Sequence, residues 1–396
     1  MKTYYIKTYG CSSNEVDSNL IAGVLEEFGF GELPSFKFKN EVEEVSYVLK
    51  RADVFIVNSC SVRQKSEDKI YGLGKIINQF EKEGPKKSCV ILTGCLVGSA
   101  VGSRKPNSFK QLRGKTRNFD GYFSPNDISE FVEILKMQGL IKKGREFKEN
   151  EIKNRQEGKK HAFVNISFGC DNFCSYCIVP FSRGKEISRS EKEILDEIKC
   201  LVKNKTEEVT LCGQNVNSWN LNKSEKTKVR MGSRRRIPFA DLLRKIHKIK
   251  GLKKIDFISS NPFDFTQDLV AAIKLPKISN YMHIAVQSGS DEILRAMNRR
   301  HTAKEFLDLV KRIRKAKPGV EIGTDLIVGF PGETRKQFMD TVKLVKKGKF
   351  AVAFIAMYSP RRGTYAEKYL DDNVPLKEKK WRHAYLTKIW KETKHG

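Results

Sequence analysis

No apolar run in the 396 residues approaches the roughly twenty that a helical bilayer span needs. Met1-Lys2-Thr3 leads straight into a strand-like stretch with no apolar signal segment, so the chain is expected in the cytosol and off the membrane. Acid is scarce. Asp and Glu number 47 against 75 Lys and Arg, for a net charge of +28, and a surface of that sign calls for a polyanion, nucleic acid first. A disulfide framework is also missing: the nine cysteines are an odd number in a long chain without a secretory signal, which turns the expectation to metal or redox chemistry. With 39% hydrophobic and 31% charged residues the chain is not disordered, and its length excludes a lone small module, leaving two or three domains.

What is present begins with a rhythm. Up to about residue 140, short apolar runs alternate with helical patterns. Tyr4-Tyr5-Ile6 leads to Gly10-Cys11, Val54-Phe55-Ile56-Val57 to Asn58-Ser59-Cys60, and Val90-Ile91-Leu92 to Thr93-Gly94-Cys95. Val16, Leu20, Val24 and Leu25 keep helical spacing after the first cysteine, which predicts βα units of an open parallel α/β sheet. Such sheets gather their sites at the carboxyl ends of the strands, so three cysteines distant in sequence are expected to meet at one edge. Residues 141–160 read as a basic linker; from Lys142 to Lys160 they hold eight Lys or Arg and four Glu. Beyond it, over 161–370, six strand-like runs (163–168, 209–211, 255–258, 283–286, 322–328 and 353–357) alternate with helical patterns, as in a partial (β/α)6 barrel of the TIM type. Residues 371–396 read as a basic helical extension.

Cys170, Cys174 and Cys177 stand close enough for one loop to aim three thiolates at one centre. A structural zinc site wants four protein ligands, and no Cys or His follows at a matching distance. A 4Fe-4S cluster held by three cysteines would leave one iron open to a non-protein ligand. Cys11, Cys60 and Cys95, each just past a strand, suggest a second cluster, whereas Cys89, Cys200 and Cys212 lack such alignment and read as ordinary thiols.

The spacing of the second trio, with Tyr176 before its last cysteine at the first strand of a βα repeat, resembles the radical S-adenosylmethionine (SAM) superfamily. Together the two trios are similar to the methylthiotransferase family, and the match runs over nearly the whole chain. Tyr9-Gly10-Cys11-Ser12-Ser13-Asn14 with Asp17-Ser18, Asn58-Ser59-Cys60-Ser61-Val62-Arg63 and Thr93-Gly94-Cys95 resemble its N-terminal signatures. Residues 169–184, GCDNFCSYCIVPFSRG, are similar to the cluster loop of its bacterial tRNA branch. Gly213-Gln214-Asn215-Val216-Asn217-Ser218, Gln287-Ser288-Gly289-Ser290, Gly329-Phe330-Pro331-Gly332-Glu333-Thr334 and Tyr358-Ser359-Pro360-Arg361 agree as well.

The resemblance implies two 4Fe-4S clusters and SAM, and addition of a methylthio group to carbon 2 of an isopentenyl-type adenosine 3′ of the tRNA anticodon. One SAM would methylate sulfur held on an auxiliary cluster at Cys11, Cys60 and Cys95; a second would supply the radical that activates the base. It further implies the tRNA anticodon stem-loop as partner, an electron donor such as flavodoxin or ferredoxin, a sulfur donor, and a monomer. Tyr176, Gly213, Gln214, Asn215, Gln287, Ser288 and Gly289 are the positions expected to touch SAM; turn formation is the competing reading of the polar ones. Arg183, after the cluster loop, is a candidate for holding RNA phosphate or the SAM carboxylate, with Arg189 beside it. Sibling activities toward threonylcarbamoyladenosine or a ribosomal-protein aspartate, and a non-enzymatic iron–sulfur RNA binder, are the alternatives. Ala285, Asn261 and Arg362 depart from the family pattern, but none is a cluster cysteine.

The family usually ends in a small all-β RNA-binding module, whereas this sequence stops at Gly396 after a basic stretch, so that module is expected to be absent. Phosphate contact then falls to residues 99–119, 222–236 and 377–396. Residues 222–236 are the preferred candidate, with Arg234, Arg235 and Arg236 among their cations, because they follow the second barrel strand and should overhang the rim.

Overall fold

The computed structural model describes residues 1–34, 36–62, 64–102, 104, 108–142, 156 and 158–394. Most of the basic linker lies outside these residues, as do Arg63, part of the basic stretch 99–119 and the last two residues of the stretch 377–396. The chain divides into two compact units: Met1–Gln156 with Ile178–Lys185, and Glu157–Cys177 with Glu186–Gly396.

The first unit is built on a parallel sheet of β1 (Thr3–Tyr9), β2 (Gly31–Glu32), β3 (Val54–Ser59), β4 (Cys89–Gly94) and β5 (Gly121–Tyr122), in the order β2-β1-β3-β4-β5. β3 runs through its centre, and all six of its residues are buried. Phe55 and Val57 pack into one apolar cluster with helices Glu41–Arg51 and Gln64–Glu83; Val54 and Ile56 pack into another with helices Ser12–Glu27 and Ile128–Met137. A parallel sheet covered on both faces needs such unbroken apolar runs, which is why its central strands were plain in the sequence.

Register then aligns the ends. Tyr9 pairs with Ser59, and Ser59 with Gly94, so the chain leaves β1, β3 and β4 at one level, just before Cys11, Cys60 and Cys95. Gly94 is indispensable to this exit. It has φ +95°, and a Cβ there would lie 2.2 Å from the Ser59 carbonyl oxygen.

In the second unit β6 (His161–Asn165), β9 (Glu208–Cys212) and β10 (Lys254–Phe257) form one parallel sheet, and β11 (Tyr281–His283), β12 (Glu321–Val328) and β13 (Val352–Met357) another. Parallel bridges from Ile255 to Ile278 and from Ser260 to Ile284 join them into a six-stranded partial barrel. Val164, Leu211, Ile255, Ile284 and Leu326 point into a single core with the surrounding helices. The first expected run, 163–168, divides at Ile166: β6 stays in the barrel, while β7 (Ser167–Phe168) pairs antiparallel with β8 (Ile187–Ser188). That short ribbon brackets the cysteine loop.

The reading of residues 371–396 as an extension is corrected by packing. Helix Leu376–Thr393 places Leu386 and Ile389 in the barrel core. Its Lys379 and Arg382 are buried in ion pairs with Asp372 (2.6 Å) and Glu333 (2.8 Å), so these two cations are withdrawn from any phosphate contact. Among the described residues no helix is long and apolar enough to cross a membrane.

Candidate metal centres

In the first unit Cys11 caps helix Ser12–Glu27, Cys60 follows β3, and Cys95 opens helix Cys95–Val101. The Cys60 thiol is the hydrogen-bond partner of both others. That bond outweighs burial and, helped by Arg183, draws Cys11 down to about 5 and Cys95 down to about 6, while the same two contacts push Cys60 up. A thiol whose ionisation is favoured by a neighbouring S–H and a guanidinium is a donor suited to cationic iron. The loops are braced below: Asn14 Nδ2 donates to Asn58 Oδ1 (2.8 Å), and Asn58 Nδ2 to the Asn14 carbonyl (2.8 Å) and Ser18 Oγ (3.0 Å).

Arg183 completes this centre in a way the sequence reading did not foresee. It is 3% exposed; its Nε donates to Cys95 Sγ (3.2 Å), and Nη1 and Nη2 donate to the two oxygens of Asp17 (3.2 and 2.5 Å), itself 4% exposed. Burial raises the Asp17 pKa and Arg183 opposes it. A guanidinium enclosed by a carboxylate and a thiol has no surface to offer RNA, so the phosphate-holding role drawn for Arg183 is replaced by a structural one. Arg189 is likewise engaged, with Glu197 (2.6 Å) and the Asn165 carbonyl (2.7 Å).

In the second unit the loop after β7 carries Cys170, Cys174 and Cys177. Phe173 takes a left-handed φ of 47° to turn it. Ser175 N donates to the Met297 carbonyl (3.1 Å) and Ser175 Oγ to that of Ala296 (2.7 Å), while Asn298 Nδ2 donates to the Phe173 carbonyl (3.0 Å). Tyr176 packs with Ile293, Met297, Phe330 and Tyr358 on the dry side. Arg299 Nη1 donates to Cys174 Sγ (3.5 Å) and Nη2 to the Ala285 carbonyl (2.6 Å). Among the described residues no carboxylate pairs with Arg299, and its Nε is buried without a partner. Burial raises the Cys170 thiol. Arg299 was missed in the sequence because it sits among neighbouring arginines, and charge alone does not report burial.

No three His, Cys, Asp or Glu among the described residues converge as ligands of a single ion. A four-iron cluster takes one thiolate per iron, so three cysteines that hold it need not converge on a single ion.

Of the loops expected to touch SAM, Gly213 lies where a Cβ would come 2.5 Å from Ser167 Oγ. Asn215 donates to Ser218 Oγ (2.6 Å) and accepts from Asn261 Nδ2, and Asn261 also donates to buried Asp264 (2.8 Å). Gln214 lies between them in the same loop. Gln287 has φ +76° and bridges β12 through Asp325 and Ile327. Ser288 Oγ and Gly289 N both meet Thr341 Oγ1, at 3.3 and 2.9 Å. Asn215 thus carries a turn-holding bond, and Ser288 and Gly289 are tied to helix Arg335–Gly348.

Arg234, Arg235 and Arg236 are exposed, Arg236 pairing with Asp241 at 2.8 Å. Their segment is anchored on both sides by Val229 and Ile237 in the barrel core, and Lys226 pairs with buried Glu186 at 2.7 Å.

Residues 164–345 match the Radical SAM superfamily, and residues 3–105 the Uncharacterized protein family UPF0004. The fold is similar to that of the radical S-adenosylmethionine methyltransferase TsrM from Kitasatospora setae, with a TM-score of 0.61 at 12% identity over 93% of this chain and 77% of that one. A barrel with its cysteine loop after the first strand thus belongs to a radical SAM enzyme. The chain is 38% identical to tRNA-2-methylthio-N(6)-dimethylallyladenosine synthase of Clostridium botulinum (strain Loch Maree / Type A3), over 98% of this chain and 81% of that protein. It is 37% identical, with the same coverage, to the synthase of the same name from Thermotoga petrophila. The chain belongs to the tRNA-2-methylthio-N(6)-dimethylallyladenosine synthase family.

Proposed function

We propose that this chain adds a methylthio group to carbon 2 of an N6-isopentenyl-type adenosine beside the tRNA anticodon, using SAM and two 4Fe-4S clusters. The observation that carries the reading is the pair of cysteine trios, one at the carboxyl edge of a parallel sheet and one in the loop after β7, in a chain related along 98% of its length to synthases of that name. Carbon 2 is an unactivated aromatic position that acid–base side chains cannot open; a radical can.

Cys170, Cys174 and Cys177 would hold one cluster, and Cys11, Cys60 and Cys95 the other. Held by Cys170, Cys174 and Cys177, a 4Fe-4S cluster would supply a binding point for SAM and the electron for its cleavage to methionine and a 5′-deoxyadenosyl radical. The protein's share is positioning and exclusion. Ser175 and Asn298 hold the loop in register, Arg299 fixes Cys174, and Tyr176 with its apolar neighbours keeps water from the loop's inner side. Gly213, Gln214, Asn215, Gln287, Ser288 and Gly289 form the loops that receive SAM. The anticodon stem-loop is the substrate, with Arg234, Arg235 and Arg236 among its phosphate contacts. An electron donor such as flavodoxin or ferredoxin and a sulfur donor serve the enzyme, which works as a cytoplasmic monomer.

The test compares nucleosides of tRNA from cells with and without the gene. Loss of the 2-methylthio group with the isopentenyl group retained is the expected result. Loss from threonylcarbamoyladenosine instead, or no change, would overturn the assignment.

A further inference from the structure

After β13 the chain leaves the barrel through Tyr358-Ser359-Pro360-Arg361-Arg362-Gly363 and enters the short helix Tyr365–Tyr369, capped by Thr364. This exit is at the carboxyl end of the strands, the same end as the cysteine loop, and the two are joined. Ala366 N donates to the carbonyl of Ser175, between Cys174 and Cys177, at 2.7 Å. One face of the helix, with Ala366 and Leu370, packs beside Tyr176, Phe330 and Tyr358.

The opposite face does the reverse of what apolar groups favour. Tyr365 is 57% and Tyr369 70% exposed, their ring centroids 4.9 Å apart and tilted by 44°. Two large aromatic faces are left in water on a segment that also carries Arg361, Arg362 and Lys368, in a chain of net charge +28; of the acids in that segment, Glu367 accepts from Gly363 N (3.0 Å), Asp372 pairs with Lys379 (2.6 Å) and Asp371 is exposed. Packing gives no reason for them, since Ala366 and Leu370 already anchor the helix. Exposed rings flanked by cations are what unpaired bases and their phosphates require together, and a duplex keeps its base faces covered.

We infer that the Tyr365–Tyr369 face is a stacking platform for bases of a single-stranded RNA loop, with Arg361, Arg362 and Lys368 meeting the adjoining phosphates. The inference rests on the reading of the chain as a tRNA-modifying enzyme and deepens it: the hydrogen bond from Ala366 to Ser175 ties the platform to the cysteine loop, so a loop stacked on it is held at a set place relative to those thiols.

The experiment measures binding of a labelled anticodon stem-loop RNA, and of a blunt duplex carrying the same stem, over a range of salt. Tyr365→Ala with Tyr369→Ala weakens stem-loop binding by about tenfold or more and leaves the duplex and the salt slope as they were. Tyr365→Phe with Tyr369→Phe keeps the affinity, because stacking needs the ring and not the hydroxyl. Arg361→Ala with Arg362→Ala weakens both RNAs and lowers the salt slope by roughly two counterions. Unchanged stem-loop affinity in the alanine pair, including the case in which only self-association or protein binding is lost, overturns the inference, as does an equal loss in the phenylalanine pair. Product formation by the unaltered chain is scored separately: ring-dependent binding without product would sink the enzymatic reading and leave the platform standing.

Discussion

Cys170, Cys174 and Cys177 reach their places within a single loop, whereas Cys11, Cys60 and Cys95 are delivered by three different strand ends of one sheet. Each centre has one sulfur that accepts from a buried arginine, but the charge around that arginine differs. Arg183 is enclosed with Asp17, so the pair brings no net charge to Cys95; Arg299 reaches Cys174 and, among the described residues, no carboxylate pairs with it, so its positive charge is left for the thiolates to answer. A buried cation is tolerated only when something anionic balances it. One centre is therefore neutralised by its own protein, and the other depends on what it will hold.

The largest effect expected is chemical. Cys174→Ala should abolish 5′-deoxyadenosine release from SAM, while Cys60→Ala should keep some release and lose the methylthio product; each should bind about four irons instead of about eight. Equal loss of SAM cleavage in both variants would erase the division of labour between the centres.

Next comes stability of the iron-free chain. Arg183→Ala strands the buried Asp17 carboxylate and should lower the unfolding free energy by about 3–5 kcal/mol, most of it regained by adding Asp17→Asn. Arg299→Met strands no anion, so its cost in denaturant titration should be clearly smaller. If the two single variants lose alike, the charge contrast drawn above is wrong.

The smallest effect is one of pH. His301, against Phe263 at 6.2 Å and beside Arg299, is held down to about 3 by burial first and by that cation second. It stays neutral in the fold where the unfolded chain protonates it near 6.5. The unfolded state thus binds more protons, and the stability owed to neutral His301 is full above about 6.5 and declines as pH falls toward about 3. His301→Phe should flatten that slope; an unchanged slope would mean that His301 is not held neutral.

Much of this was open to reading in the sequence, for physical reasons. Val54-Phe55-Ile56-Val57 and Val90-Ile91-Leu92 announce strands buried on both faces, and a cysteine just past each end follows from how parallel sheets hand over to helices. What stayed hidden depends on pairing across long separations. Lys379 and Arg382 look like any basic helix until Asp372 and Glu333 are found against them, and the Glu333 of the Gly329-to-Glu333 motif proves to hold Gly329 N (2.7 Å) and Arg382. Arg183 was noticed as a cation near the chemistry, but no local pattern could say that its anion is Asp17.

Ile178–Lys185 follows Cys177 directly yet belongs to the first unit, where Arg183 meets Asp17 and a Cβ on Gly98 would lie 2.0 Å from the Ser182 carbonyl oxygen. The first unit is therefore not an independent N-terminal fragment, although residues 3–105 alone match a family of their own. A chain cut after Gln156 would lose the strap that covers Gly98 and supplies the counter-ion of Asp17. Its two halves can be divided in a gene only by returning that strap as a separate peptide, and the first half should then regain its fold only when the peptide binds.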